Sequence, residues 1–239
     1  MNPIEVSEAS RRSFLKNTGL FAGAGAAALF VAGTAQAAKP NRGNGNGNGN
    51  GKGKGQYHLP DLYPGWNARN FMEIMDDENA HVPAILAALG SAARPRPNFK
   101  NLAQPNIQLF AALSNVLENT GSAAYLSAGP LIFDKGYLAA ALSIAEVEAY
   151  HSGYLNTLLN GPILPNKVSF AVTFTIEQVL ANASYFVVDL NGGPPLSFDT
   201  KTSSAQNDIA ILNFALALEY LEQDFYNINV PHFFGSQTT

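Results

Sequence analysis

Between residues 70 and 226 apolar residues recur at helical spacing in four long runs, separated by proline and glycine. The first runs from Asn70 to Leu89, with Phe71, Ile74, Met75, Val82, Ile85 and Leu89 down one face, and Gly90 supplies a stop. The second, about Asn106 to Ala128, carries Ile107, Phe110, Leu113, Leu117 and Tyr125 and ends at Gly129-Pro130. A third starts near Lys135, shows Leu138, Ala141, Leu142, Leu155 and Leu159 on one face, and stops at Gly161-Pro162. The last, about Gln206 to Tyr226, is apolar nearly all round, which predicts that it is buried.

The connections differ in length. Residues 90–105 hold Pro95, Pro97 and Pro105 and little periodicity, and at ~3.3 Å per residue they can reach along a whole bundle. Residues 162–206 are irregular except for a short helix that begins after the cap residue Thr175. The pattern predicts an all-α fold, a four-helix bundle with a long crossover and an extra short helix.

The apolar stripes are interrupted in a regular way. Glu78 and His81 occupy stripe positions between Met75 and Ile85, and Glu148 and His151 complete the apolar face of the third helix, from which Glu146 falls away. Residues three apart share a helix face, so each Glu-x-x-His pair points inward together. Glu118 and Glu219 lie in the stripes of the second and last helices, with Glu222 one turn beyond Glu219 as its alternative. A single Glu-x-x-His is ordinarily a surface ion pair. With ten glutamates in 239 residues, two such pairs among four histidines is roughly a 1% coincidence. One Glu from each of two helices and Glu-x-x-His from each of the other two is the ligand set of carboxylate-bridged di-metal bundles.

The N-terminal 56 residues read differently. Ser10-Arg11-Arg12-Ser13-Phe14-Leu15-Lys16, an apolar small-residue run to Gly33 and Ala35-Gln36-Ala37 match a twin-arginine export signal with its cleavage site. Residues 1–37 are therefore expected to be a Tat signal peptide, and residues 38–56, rich in Gly and Asn, a flexible linker. Residues 57–239 form the expected folded domain, in the periplasm or outside the cell, with no stable membrane span after cleavage. Residues 1–37 hold three of the 14 basic and two of the 18 acidic residues, which leaves a mature net charge of −5 and argues against a nucleic-acid partner. There is no cysteine, so disulfides, Fe–S clusters and thiolate metal sites are excluded and any metal must take O and N ligands.

The segments D-I-A-I-L-N-F-A-L-A-L-E-Y-L-E-Q-D-F-Y, D-E-N-A-H-V-P-A-I-L-A-A-L-G, L-E-N-T-G-S-A-A-Y-L and E-V-E-A-Y-H-S-G-Y-L-N-T-L-L resemble the secreted ferritin-like domain of desiccation-related proteins. In that family the L-E-Y-L-E helix comes first; here it comes last, which looks like a circular permutation or a helix exchanged with a neighbouring subunit. The resemblance implies that Glu78 and Glu148 bridge two metal ions, that His81 and His151 bind one each, and that Glu118 and Glu219 are terminal ligands. It implies two Fe or two Mn ions per chain, with O2 or peroxide as small-molecule substrate, and Tyr226 beside the site as a redox-active or supporting phenol. Two other readings remain: a metal-independent scaffold of the cell envelope, and a tethered binding module using the last helix or residues 162–206. The sequence leaves open whether the chain acts alone or as a homo-oligomer. His58 and His232 read as solvated, Met72 and Met75 as core packing, and Asp76 and Asp77 as a solvated face.

Overall fold

The computed structural model describes residues 59–165 and 169–235. The expected leader, its expected cleavage site, the expected linker and His58 lie outside the described residues. The described residues form five α-helices: α1 (Trp66–Leu89), α2 (Ile107–Ala128), α3 (Lys135–Leu158), the short α4 (Ile176–Ala183) and α5 (Ala205–Phe234). The all-α bundle expected from the apolar periodicity is what the chain forms. Two strands too short to show a period, β1 (Asn98–Phe99) and β2 (Val187–Asp189), add a small antiparallel ladder with Asn98 opposite Asp189.

The helix starts follow from capping. The side chains of Asn106, Asp134 and Ser204 accept hydrogen bonds from the backbone N–H groups of Leu109, of Gly136 and Tyr137, and of Asn207, satisfying donors that a first turn leaves open. Thr175 and Gln178 form a reciprocal capping box on α4. At α1 the cap is Gly65, whose φ of 78° lies in the left-handed region that glycine tolerates. The buried Asn67 then donates to Pro60 O and Asp61 Oδ1, and Tyr154 of α3 donates to its Oδ1, so the segment entering α1 is held against the bundle. Two helix limits differ from the sequence reading. α1 begins four residues earlier, at Trp66, and α5 runs to Phe234 because Val230 and Phe234 continue the buried face beyond Tyr226.

Helix pairing is set by the connections. α1 packs along α5 and α2 along α3, with lighter contacts from α2 to α5 and from α1 to α3. Cross-helix bonds run in opposite register: Asn79 with Asn227 and Ala92 with Asn213, or Tyr154 with Asn67 and Tyr137 with Ala88. Neighbouring helices are therefore antiparallel, and both the 90–106 crossover and the 159–204 segment pass across the bundle's diagonal. Arg96 anchors the crossover on α5 through Asp224 at 2.5 Å and the Tyr220 ring at 4.1 Å. The buried Asp208 carboxylate accepts from the backbone N–H of Phe133 and Asp134, fixing the α2–α3 turn on the start of α5.

The core is divided. At one end Phe71, Phe110, Phe225 and Phe234 stack in an aromatic cluster, with Phe71 5.2 Å from Phe234 and Phe110 5.5 Å from Phe225. Met72 and Met75 pack against that cluster. At the other end smaller aliphatic groups fill the space around Val82, Ile85 and Leu216 and around Ala128 and Ile211. Between the two ends lies a polar layer.

Candidate metal centre

The polar layer is built by four helices. α1 brings Glu78 and His81, α2 brings Glu118, α3 brings Glu148 and His151, and α5 brings Glu219; all six side chains are buried. Their donor atoms fall into two four-residue groups, each with all atoms within 4.8 Å of one another. One contains Glu78, His81, Glu148 and Glu219; the other contains Glu78, Glu118, Glu148 and His151. Glu78 and Glu148 belong to both, and each group has one histidine and one further glutamate of its own.

The distances follow the same division. His81 Nδ1 lies 3.2 Å from Glu219 Oε2, 3.3 Å from Glu78 Oε2 and 3.6 Å from Glu148 Oε1. His151 Nδ1 lies 3.0 Å from Glu118 Oε2 and 3.5 Å from Glu78 Oε1. Both imidazoles turn the same nitrogen into the cluster. On its other side His151 presents Nε2 to Asp77 Oδ2 at 3.0 Å, which orients the ring. The expectation of a simply solvated Asp77 is thus corrected: the residue is half exposed but holds a buried histidine in place.

Two phenols complete the layer. Tyr226 of α5 donates to Glu118 Oε1 of α2 at 2.5 Å, and Tyr125 of α2 donates to Glu219 Oε1 of α5 at 2.5 Å. Each tyrosine stands seven residues after the glutamate of its own helix and reaches the glutamate of the other. With α2 and α5 antiparallel, the equal Glu-x6-Tyr spacing lets both contacts form in one register. The spacing is visible in the sequence at 118/125 and 219/226, yet Tyr125 reads there as one more apolar stripe residue.

The electrostatics describe a site short of positive charge. Burial pushes the Glu78 carboxyl up to about 7, the two histidines lower it, and Glu219 and Glu118 raise it further. Burial and the charges of Glu78 and Glu222 hold Glu148 well above the usual carboxylate range. Burial opposes charge on His81 and His151, but the surrounding carboxylates, Glu219 first for His81 and Glu118 first for His151, win and raise them to about 10 and 11. Tyr125 and Tyr226 are pushed up by burial and by the carboxylates they serve, so both remain donors. Glu222 is also buried, raised by burial and by Glu78, and one oxygen has no partner; it lies beside Gly121 and outside both four-residue groups.

The donor set fits metal ions. Among the described residues Glu78 Oε1 and both oxygens of Glu148 are buried without a hydrogen bond, their nearest imidazole nitrogens standing at 3.5 Å (His151 to Glu78) and 3.6 Å (His81 to Glu148). A buried carboxylate left in that condition costs several kcal/mol unless a proton or a cation meets it. Those orphaned oxygens belong to the two residues shared between the groups, where a carboxylate bridging two cations would use both. Hard carboxylate oxygens with one imidazole per group suit Fe or Mn. Gly121 gives Glu148 its room, because a Cβ there would overlap the carboxylate.

A model of the ferritin-like domain matches residues 26–161, more than half of the chain. The chain belongs to the ferritin-like family. The matched span contains α1, α2 and α3, and with them Glu78, His81, Glu118, Glu148 and His151; it ends before α5. None of the curated proteins and none of the solved structures matches the chain. Among the described residues no helix is long and apolar enough to cross a membrane. The remaining sequence candidates stand apart from the ferritin-like centre: His232 is exposed in the last turn of α5, and Glu146 is exposed and accepts a hydrogen bond from Tyr150.

Proposed function

We propose that this ferritin-like chain holds two Fe or two Mn ions and reacts with O2 or peroxide, as an exported protein of oxidative or desiccation stress. The observation that carries the reading is the pair of overlapping four-residue groups, with oxygens free of hydrogen bonds, among the described residues, on the two glutamates they share. In this reading Glu78 and Glu148 would be shared by the two ions, His81 with Glu219 would hold one and His151 with Glu118 the other, and Glu222 would be the alternative to Glu219. A bound metal pair supplies Lewis acidity and the capacity to pass electrons. The chain supplies the rest. The aromatic and aliphatic ends keep bulk water out, Asp77 fixes the His151 ring, and Tyr125 and Tyr226 hold one oxygen each of Glu219 and Glu118 so that the other faces inward.

Export rests on the twin-arginine pattern at residues 10–16 and the Ala35-Gln36-Ala37 site, with residues 38–56 as a tether. Export in folded form suits a centre assembled from four helices, since an unfolded chain could not carry its metal across. The rotated helix order rests on the sequence resemblance, with Glu219 standing on α5 after both Glu-x-x-His helices.

The test is metal content by mass spectrometry on purified protein, beside a His81→Ala/His151→Ala double variant. About two Fe or Mn per chain, lost in the variant, is expected. No stoichiometric metal after anaerobic reconstitution with Fe(II) and with Mn(II) would overturn the reading and leave a scaffold of the envelope in its place.

A further inference from the structure

Four seams run between neighbouring helices of the bundle, and they are closed to different degrees. α1 packs closely along α5, and α2 along α3. The seam between α2 and α5 is roofed by the 159–204 segment, whose Phe174, Ile176 and Phe198 pack with Ala124 of α2 and Phe214 of α5. The fourth seam, between α1 and α3, has the lightest helix contact of the four. It is stitched near its two ends, by Tyr154 donating to Asn67 and by Tyr137 donating to the backbone oxygen of Ala88. Between these stitches lies the carboxylate layer, with Asp77 of α1 facing His151 of α3 across the seam.

Exposure marks the same place. Glu78, Glu118, Glu148 and Glu219 are at most 1% exposed, whereas His81 retains 8% and His151 6%. Both rings turn Nδ1 into the cluster, so their outer edges form the boundary between the carboxylates and solvent. The Asp77 side chain is 39% exposed and stands on the outer side of His151. Small groups keep this mouth wide. Ala80 and Ala84 lie three and seven residues beyond Asp77, on its side of α1, and both are exposed.

Charge decides what such a mouth attracts. From Asn70 to Gly90 and from Gly136 to Leu159 the flanking segments contain no lysine or arginine. Besides the buried glutamates they carry Glu73, Asp76 and Asp77 on one side and Glu146 on the other. Glu73 and Asp76 are exposed, and Glu73 stands one turn before Asp77 on the same face. Arg69, the cation preceding this stretch of α1, is stacked on the Tyr63 ring at 5.6 Å. Exposed acids at an opening focus the field and concentrate cations there, and they repel phosphate and carboxylate. The two ends of the core give a hydrated cation no comparable path, because aromatic and aliphatic side chains offer nothing to replace its water.

We propose that divalent cations enter and leave the centre through the middle of the α1–α3 seam, drawn in by Glu73, Asp76 and Asp77 and passed inward beside the His81 and His151 rings. The route rests on the di-metal reading. It gives the three acids ahead of Glu78 a role in the rate of loading, separate from the part Asp77 plays in orienting His151.

The experiment is stopped-flow uptake of Co(II) by the metal-free full chain, followed by the Co(II) absorption bands, in Glu73→Lys, Ala80→Lys and Glu177→Lys. All three positions are exposed. Glu73→Lys and Glu177→Lys change the net charge equally, but Glu177 stands on α4, over the opposite seam. At low ionic strength uptake should slow about tenfold in Glu73→Lys, slow in Ala80→Lys and match wild type in Glu177→Lys. The difference should fade as salt shortens the Debye length from about 30 Å at 0.01 M to about 3 Å at 1 M. Final stoichiometry should be the same in all. Glu73→Gln, which removes the charge and keeps the shape, should fall between wild type and Glu73→Lys and covers the case in which the lysine variant folds poorly. Wild-type rates in the Glu73 variants, or equal slowing in Glu73→Lys and Glu177→Lys, would overturn the route and leave the metal centre in place. No Co(II) uptake by the wild-type chain would remove the di-metal reading, and the route with it.

Discussion

Replacing Gly121 with alanine should separate the stability of the bundle from its capacity for metal. Gly121 is buried in the middle of α2, facing α3, and a methyl group there would overlap Glu148 Oε2 and crowd its Cδ at 3.0 Å. At an ordinary helix position the change from glycine to alanine gains ~1 kcal/mol. Forcing an added methyl into a packed site costs ~1–3 kcal/mol. The two together predict a net loss of about 0–2 kcal/mol, or a fall in Tm of up to about 8 °C for a domain of this size. The group that yields is the carboxylate, because neither of its oxygens is held by a hydrogen bond. Displacing it takes Glu148 Oε1 away from the His81 nitrogen, now 3.6 Å distant, and from both four-residue groups at once. Metal affinity should therefore fall by tenfold or more while the fold survives. Gly153→Ala is the control: its added methyl would sit 3.6 Å from Ile163 Cγ1, an ordinary contact, so it should gain ~0.5–1 kcal/mol and bind metal as before. Thermal melts followed by circular dichroism and anaerobic Fe(II) or Mn(II) titration by calorimetry read the two quantities. Wild-type metal affinity and stoichiometry in Gly121→Ala would refute the argument, as would a loss beyond ~4 kcal/mol, which would mean that the backbone rather than the carboxylate gives way.

Asp77→Ala should weaken metal binding about 10–100-fold with little change in the melting of the metal-free chain, since its effect passes through the orientation of His151; a titration that matches wild type would count against it. Asp208→Ala removes the acceptor of two backbone N–H groups at the α2–α3 turn and should cost ~2–3 kcal/mol in urea unfolding, with metal stoichiometry unchanged in the folded fraction. Chelation should destabilise the protein relative to its loaded form by ~2.7 kcal/mol when free metal stands at 100 times Kd, and identical melting curves in the two states would contradict resident metal.

The outline of this fold was legible because its long helices carry apolar stripes with clean breaks at Gly90, Gly129-Pro130 and Gly161-Pro162. The polar layer was legible for the same reason, seen from the other side: a glutamate and a histidine three apart inside such a stripe have nowhere to go but inward. Asp77 was not legible. It sits one residue before Glu78, at the margin of the stripe, and only the antiparallel pairing of α1 with α3 brings His151 within its reach. Tyr125 was hidden by its amphipathic nature, since a phenol in an apolar stripe looks like packing until its hydroxyl is given a partner. The β1–β2 ladder, two and three residues long, carries no period to read.

The pairing of α1 with α5 also bears on how the molecule is made. α2 and α3 are separated by a short turn and can form a hairpin as soon as both have emerged. α1, by contrast, must wait on the order of a hundred residues for its closest partner, and such a distant closure carries the larger entropic cost and sets the slower step. Glu219 arrives on that last helix. A ribosome-bound or truncated chain can thus display both Glu-x-x-His pairs and still lack the wall that encloses them. On the di-metal reading the cage closes only once α5 has been made, so loading cannot precede the synthesis of that helix.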